Sequence, residues 1–528
     1  MFKMSDEWLK VTLICKPEQS GKTFIMIQTI IKDLNEPIND KIIVNFILCD
    51  NNLLLTKQTS GRVAEDLNEF KFNEEVYLEL SSHKRTDYHN HSDVFHAIIT
   101  KKINNVICCT NNQRMDDIYQ LINDFNTSEI TQDKYYFKIW LDEADKFDKY
   151  INDTLKPLVK KFDNVSVYCI TATPQTLFNK HKYMNVFPIE KTTTEDYHGW
   201  ADNLIRIIDF DVDYLSFITH ILTNVGKDRI VPKSKWFIPG LSKKKSHEAV
   251  KKICNQLSMA VAVVNGNGIT LTLPNKEVFN YPKDDDFGKK IVEIYKKHKL
   301  EEYAFVITGY ICISRGITIN SKKFMLDNAI LSHCGSKSEV SQIAGRMKGN
   351  MKNFPNYKIP HVFTTIEFNK IAIDMEKKSR HLAELAFKKE QEGQDTVIDK
   401  SEFRSCGENY RYVKHDEYFK SYTQAIKYLQ SIYRECGMRK INNTKKSVIH
   451  LTEPNKYSVT SKLLKPGLTV KDLTDEDRIT KKRAESIPLG SCISTTKKGS
   501  QYLILPVYDS LDSPPESVEF EVRHLRKI

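Results

Sequence analysis

VTLICKPEQSGKTFIMIQTIIKDL, residues 11–34, is the stretch on which the fold of this chain turns. Val11 to Cys15 are apolar but for Thr12, which suits a short strand covered on both faces. From Phe24 onward the apolar residues return at helical spacing. Between the two stands Lys16-Pro-Glu-Gln-Ser-Gly-Lys-Thr23, a glycine-bearing turn that opens a helix. Backbone N–H groups at such a helix start, with the positive end of the macrodipole, form a cradle for phosphate oxygens. Lys16, Gln19, Ser20, Gly21, Lys22 and Thr23 are the expected cradle residues. Lys22 can reach the outer phosphates of a nucleotide, and the Thr23 hydroxyl can ligate Mg²⁺. Lys16 occupies the place of the first glycine in the usual G-x-x-x-x-G-K-[ST] pattern. S-G-K-T alone recurs by chance; the strand–turn–helix setting carries the reading.

Outward from this stretch, strands and helices alternate. KIIVNFIL (41–48), NNVICCT (104–110), YYFKIWL (135–141) and VSVYCIT (165–171) repeat the strand pattern, with helical segments such as 114–125 between them. A second series starts near residue 200, with strands expected at 235–238, 260–264, 303–309, 328–332 and 359–365 and helices at 246–257 and 286–298. Such alternation predicts parallel sheets covered by helices on both faces. The class is α/β, with two such domains in tandem.

The second candidate site is Trp140-Leu-Asp-Glu-Ala-Asp145, at the end of the apolar run YYFKIWL. Ligands bind at the carboxyl ends of strands in these sheets. Asp142 is placed to hold Mg²⁺ and Glu143 to orient and deprotonate an attacking water. In isolation the same string also fits a solvated acidic turn; the phosphate loop upstream decides against that.

K-P-E-Q-S-G-K-T followed by D-E-A-D resembles motifs I and II of superfamily 2 helicases. The remaining motifs follow in order. Thr171-Ala172-Thr173 resembles motif III, Ser314-Arg315-Gly316-Ile317-Thr318 motif V, and Gln342-Ile343-Ala344-Gly345-Arg346 motif VI. Looser matches are 50–58 (motif Ia), Thr110-Asn111 (Ib) and Phe237 to Gly240 (IV). The resemblance covers about residues 10 to 370 and implies tandem RecA-like domains with ATP and Mg²⁺ at the cleft between them. By resemblance Lys22, Asp142, Glu143, Gln342 and Arg346 carry the hydrolysis. Arg346 would reach the γ-phosphate from the second domain, a device that is worth ~10³–10⁵ in rate. Thr110, Thr173, Arg315 and Gly316 would face a nucleic-acid track held through phosphates. In its loosened motifs and its Lys, Asn and Ile usage the chain also resembles helicases of large DNA viruses or phages.

Three positions depart from the family pattern. Gly349 stands where motif VI often has a second arginine, so either the adjacent Lys348 replaces it or hydrolysis runs more slowly on one arginine. Thr318 stands where motif V commonly has Asp. No adenine-reading motif precedes the phosphate loop; Phe2 or Trp8 would either stack on a base or be buried.

At 528 residues the chain exceeds one core. The expected division is 1–195 and 196–370 for the two RecA-like domains, 371–400 for a charged surface or linker helix, and 401–528 for an α+β accessory domain. The net charge is +11, and the last 128 residues contribute disproportionately, with 23 Lys+Arg against 16 Asp+Glu. There, aromatics interleave with Lys and Arg, as in YRYVKHDEYFKSYTQAIKYLQSIYRE. This fits either a nucleic-acid-binding unit or a small domain with a solvated basic face. The 11 cysteines are scattered with no C-x-x-C pair, and several lie in apolar runs, so reduced thiols in an intracellular compartment are expected. No run of 18 apolar residues suggests a membrane span.

The leading expectation is an ATP-dependent helicase or translocase on DNA or RNA, with DNA favoured by the missing adenine motif and by Gln rather than His at 342. Two alternatives are an ATP-gated nucleic-acid scaffold with weak turnover and the motor subunit of a nuclease machine.

Overall fold

The structure is a computed structural model. It describes residues 10–35, 40–49, 61, 63, 77–80, 88–209, 213–241, 243–265, 268–282, 287–310, 319–332, 335–405, 410–436, 438, 441, 447–451, 459–463, 478–485, 487, 489, 493 and 501–527. Among these, 10–180 with 184–397 form one compact unit, and 181–183 with 398–527 a second.

The larger unit contains two tandem RecA-like lobes. Its first sheet is built from β1 (Val11–Cys15), β2 (Ile42–Cys49), β3 (Leu78–Leu80), β4 (Asn105–Cys109), β5 (Tyr135–Asp142), β6 (Val165–Thr171) and β7 (Tyr183–Val186). Their order is β7-β1-β6-β5-β2-β4-β3, every pairing parallel. The apolar runs form strands because helices cover both faces: Leu13, Ile14, Phe46, Ile47, Ile139 and Trp140 are fully buried. Polar residues inside this sheet are paired. Trp140 Nε1 donates to Asn45 Oδ1 at 2.9 Å, and Asn45 Nδ2 donates to Asn105 Oδ1 at 3.0 Å. Lys138, the one charge in YYFKIWL, meets Asp33 of the helix Lys22–Asn35 at 2.5 Å. That ion pair ties β5 to the helix that follows the turn at residues 16–23.

The second sheet contains β9 (Leu204–Ile207), β10 (Lys235–Phe237), β11 (Ala260–Asn265), β12 (Gly268–Thr272), β13 (Val278–Tyr281), β14 (Phe305–Gly309), β15 (Asn328–Leu331) and β17 (His361–Thr364). The order is β13-β12-β11-β14-β10-β15-β17-β9. Its central pairings are parallel, and β11, β12 and β13 add an antiparallel edge. That edge was not foreseen, because GITLT and VFNY are short and flanked by polar turns. The two-residue strands β8 (Tyr197–His198) and β16 (Gly349–Asn350) pair outside both large sheets.

The charged stretch expected as a surface or linker helix belongs to the 26-residue helix Ile366–Gln391. One stripe of it, including Ala372, Met375, Ser379, Leu382, Ala383 and Ala386, is buried. It touches both lobes: Ser379 Oγ lies 3.4 Å from Cys15 Sγ, and Glu376 accepts from the Trp200 N–H at 2.9 Å. Most of its charges belong to the outer face, with Glu376 the buried exception.

The smaller unit is α+β. An antiparallel sheet orders strands Tyr410–Lys414, Glu519–Lys527 and Tyr502–Val507, with helix Tyr422–Ile432 packed on it. Arg523, fully buried, pairs with Glu521 at 2.5 Å and donates to the carbonyls of Ile487 and Ala484. Among the described residues no helix is long and apolar enough to cross a membrane.

Candidate active site between the two lobes

Strands β1, β6 and β5 lie side by side in one parallel sheet. Their carboxyl ends therefore bring the phosphate loop, Thr171–Thr173 and Asp142–Asp145 to one edge. In the loop, Gln19 at φ 55° and Gly21 at φ 90° make two left-handed turns. The Ser20 hydroxyl donates to the Pro17 carbonyl at 2.7 Å, holding the loop tight. The helix starts at Lys22 with no acidic residue in its first turn, so its positive end is not offset from within the helix. Lys16 is buried; burial, and then the charge of Lys22, lower its pKa.

Asp142 ends β5, and its Oδ1 accepts from the Glu143 N–H at 3.1 Å. Glu143 is 7% exposed and left-handed at φ 55°. A non-glycine residue there is unusual and concentrates at functional sites. Asp145 accepts from the Thr171 hydroxyl at 2.9 Å, and that same hydroxyl accepts from the Thr173 N–H at 2.9 Å.

The second lobe supplies helix Lys337–Ala344, capped by the Ser336 hydroxyl, which accepts from the Glu339 N–H. The helix lies directly against the first-lobe motifs. Gln342 Nε2 donates to Glu143 Oε2 at 3.2 Å. Ser338 Oγ is 3.4 Å from Asp145 Oδ2 and 3.3 Å from Thr173 Oγ1. Its single proton can serve one of them at a time. Ser341 hydrogen-bonds Glu18 of the phosphate loop. Arg346 sits in the turn Gly345–Met347 that directly follows the helix and is buried, and its carbonyl accepts from Asn320 Nδ2 at 2.8 Å.

Lys348, fully buried, lies 2.5 Å from Glu18 Oε2 and 3.3 Å from Glu376 Oε2. Burial alone would raise the Glu18 carboxyl, but the charge of Lys348, then of Lys22, holds it below the usual range. Lys348 is raised in turn: burial lowers it, and Glu18 with Glu376 outweighs that. Gly349 (φ 136°) and Asn350 then cross the loop, with the Asn350 N–H donating to the Gln19 carbonyl at 3.3 Å.

Of the residues singled out in the sequence, Lys16, Gln19, Ser20, Gly21, Lys22 and Thr23 share one turn, and Gln342 meets Glu143. Thr110 is buried, with both its N–H and its hydroxyl donating to the Cys49 carbonyl. Thr173 is also fully buried. Arg315, Gly316 and the rest of motif V, with the motif Ia segment, Phe2 and Trp8, lie outside the described residues. Sequence reading missed Glu18, Ser338, Ser341 and Glu376 as parts of this site. A carboxylate inside a phosphate-binding loop was a visible signal that a cation must face it. Nothing local named Lys348 and Glu376 as its companions.

The sequence matches no family model, and no curated protein matches it. Among solved structures it is similar to Mss116p bound to ssRNA and AMP-PNP, at 13% identity over 81% of this chain and 78% of that one, TM-score 0.39. The DEAD-box helicase Mss116 bound to ssRNA and UDP-BeF matches at 13% identity over 68% and 67%, TM-score 0.40. The Mycobacterium smegmatis helicase Lhr bound to ssDNA and AMP-PNP matches at 12% identity over 74% of this chain and 47% of that one, TM-score 0.35.

Proposed function

We propose that this chain is an ATP-hydrolysing motor on nucleic acid, of the superfamily 2 helicase type. The observation that carries this reading is the seating of the second-lobe helix Lys337–Ala344 on the phosphate loop and on Glu143, through Ser341 and Gln342. A site assembled from two lobes responds to its nucleotide by changing how the lobes meet, and that response is what a motor requires.

In this reading the triphosphate lies on residues 16–23, with Lys22 on its outer phosphates. Thr23 and Asp142 would hold Mg²⁺; a hydroxyl with a carboxylate is the hard oxygen donor set that ion takes, and the ion would offset phosphate charge. Glu143 accepts the proton of the attacking water, and Gln342 holds its carboxylate in place. Arg346, from the second lobe, stabilises charge on the transferred phosphoryl group. Ser338, shared between Asp145 and Thr173, carries the nucleotide state to motif III. Nucleic acid crosses the tops of the lobes near Thr110, Thr173, Arg315 and Gly316, gripped by phosphates and without sequence preference. We favour DNA, because Gln342 stands where many RNA helicases carry His.

The test is the phosphate-release rate measured with single- and double-stranded DNA and RNA, for the unaltered chain, Lys22→Ala and Glu143→Gln. Stimulation by nucleic acid that Lys22→Ala abolishes supports the motor. Glu143→Gln should retain ATP and nucleic acid while losing turnover. Normal hydrolysis by Lys22→Ala would falsify the phosphate-loop assignment. A second reading, an ATP-gated scaffold, is favoured by the buried Glu18–Lys348 bridge, which ties the loop to the second lobe; turnover indifferent to every nucleic acid would select it.

A further inference from the structure

The second lobe carries a cavity of about 1030 Å³ at the edge of its sheet away from the site just described. Ser234 and Lys235 at the start of β10, Asn328 at the start of β15 and His361 at the start of β17 line it. The motif VI helix follows the other end of β15. The two sites thus lie at opposite ends of the same parallel strands.

Five cations face this cavity: Arg206, Arg229, Lys233, Lys323 and Lys358. No ion pair engages any of them among the described residues, and of their side chains only Arg206 has a hydrogen bond, to the Val225 carbonyl. Lys235 also lines the cavity but is neutralised by Asp327 at 3.1 Å. The remaining carboxylates on the wall are Asp228 and Glu301, so cations prevail. His361 registers this field: burial, and then the charge of Arg229, lower its pKa. Unpaired cations around a concavity attract anions.

The rest of the lining narrows the anion. Val231 and Ile359, 47% exposed each, present large aliphatic surface at the wall. Asn328 is 2% exposed, and its Oδ1 has no hydrogen-bond partner; the Oδ1 of Asn356 is likewise buried and unsatisfied. Each is an acceptor needing a donor, and leaving one unmet costs ~1–3 kcal/mol. Single-stranded nucleic acid needs aromatic faces on which bases stack. The aromatic ring on the wall is Tyr295, already packed edge-on against Phe305 and Phe324 with Lys235 over it.

We propose that this cavity is a docking site for an acidic peptide segment of a partner protein, with Asp or Glu side chains on the cations and Leu, Ile or Val against Val231 and Ile359. It needs no nucleotide and is separate from the hydrolytic reading.

The test uses the full chain without ATP and a library of octapeptides built from Asp, Glu, Leu, Ile and Gly. A matched library has Asn and Gln in place of the acids, and a fluorescent 20-nucleotide oligothymidylate serves as competitor. Binding of the acidic library, absence of binding of the matched one, and at least tenfold weakening by Lys323→Ala/Lys358→Ala are expected. Both positions are exposed, so folding should be unaffected, and Arg229→Ala provides an independent second lesion. No binding of the acidic library, or equal binding by both variants and the unaltered chain, overturns the proposal. So does oligothymidylate binding that both variants weaken, which would make the cavity a nucleic-acid contact.

Discussion

Lys348 Nζ lies 2.5 Å from a carboxylate oxygen of Glu18, and both side chains are sealed from water. One belongs to the turn at residues 16–23 and the other follows the turn Gly345–Met347. The ammonium that sequence reading offered as a replacement for a missing arginine is therefore held by two carboxylates, Glu18 and Glu376.

Breaking a buried pair strands a charge and costs ~3–5 kcal/mol. Lys348→Met strands Glu18, while Glu376 keeps Arg380 at 3.2 Å, whereas Glu18→Gln leaves Lys348 with Glu376. Lys348→Met should therefore lower the melting temperature more than Glu18→Gln, and adding Glu18→Gln to Lys348→Met should recover part of the loss. Equal effects of the single variants in thermal unfolding would contradict the shared geometry.

The same network sets a pH window. Glu18 is held below its ordinary pKa, so its contribution is complete above the unfolded value of about 4.3 and is lost as pH falls through the folded value. Lys348 is raised, so its contribution is complete below about 10.4 and disappears as pH rises through its folded value. Denaturant midpoints measured across pH should fall less steeply at the acid end for Glu18→Gln than for the unaltered chain.

Gln342→Ala removes a hydrogen bond to a carboxylate, worth ~1.5–3 kcal/mol, and should lower kcat about 10–100-fold with KM little changed. Steady-state kinetics decide this. A raised KM at unchanged kcat would place Gln342 in binding rather than in holding Glu143.

Ser338→Ala removes the hydroxyl that Asp145 and Thr173 share. A hydrogen bond of about 1 kcal/mol corresponds to about fivefold. Basal hydrolysis should persist while stimulation by nucleic acid drops by about that factor. Loss of both together would assign Ser338 to the chemistry instead of the coupling.

Gly345 permits the close seating of the lobes. A Cβ there would lie 2.7 Å from Glu18 Cβ and 2.9 Å from its Cγ. Gly345→Ala should cost ~1–3 kcal/mol by overpacking and push the lobes apart. Small-angle X-ray scattering would read the larger radius, and an unchanged profile with full stability would refute this contact.

Sequence alone determined the central parallel strands and the turns at their carboxyl ends, though not the antiparallel edge β11–β13. Both follow from local pattern: mostly apolar runs are parallel strands covered on two faces, and turns at their carboxyl ends are where ligands meet such sheets. VTLIC, YYFKIWL and VSVYCIT became β1, β5 and β6 for that reason, and their motifs share one edge. What only the tertiary structure decided is which side chains from distant segments oppose each other: Gln342 on Glu143, Ser338 between Asp145 and Thr173, Lys348 between Glu18 and Glu376. The helix Ile366–Gln391 shows the same division, since its charges announced a helix while its buried stripe depended on two lobes it meets only after folding. Local sequence encodes periodicity and turn chemistry. Pairing of charges across hundreds of residues depends on the close packing of two lobes, which no single segment contains.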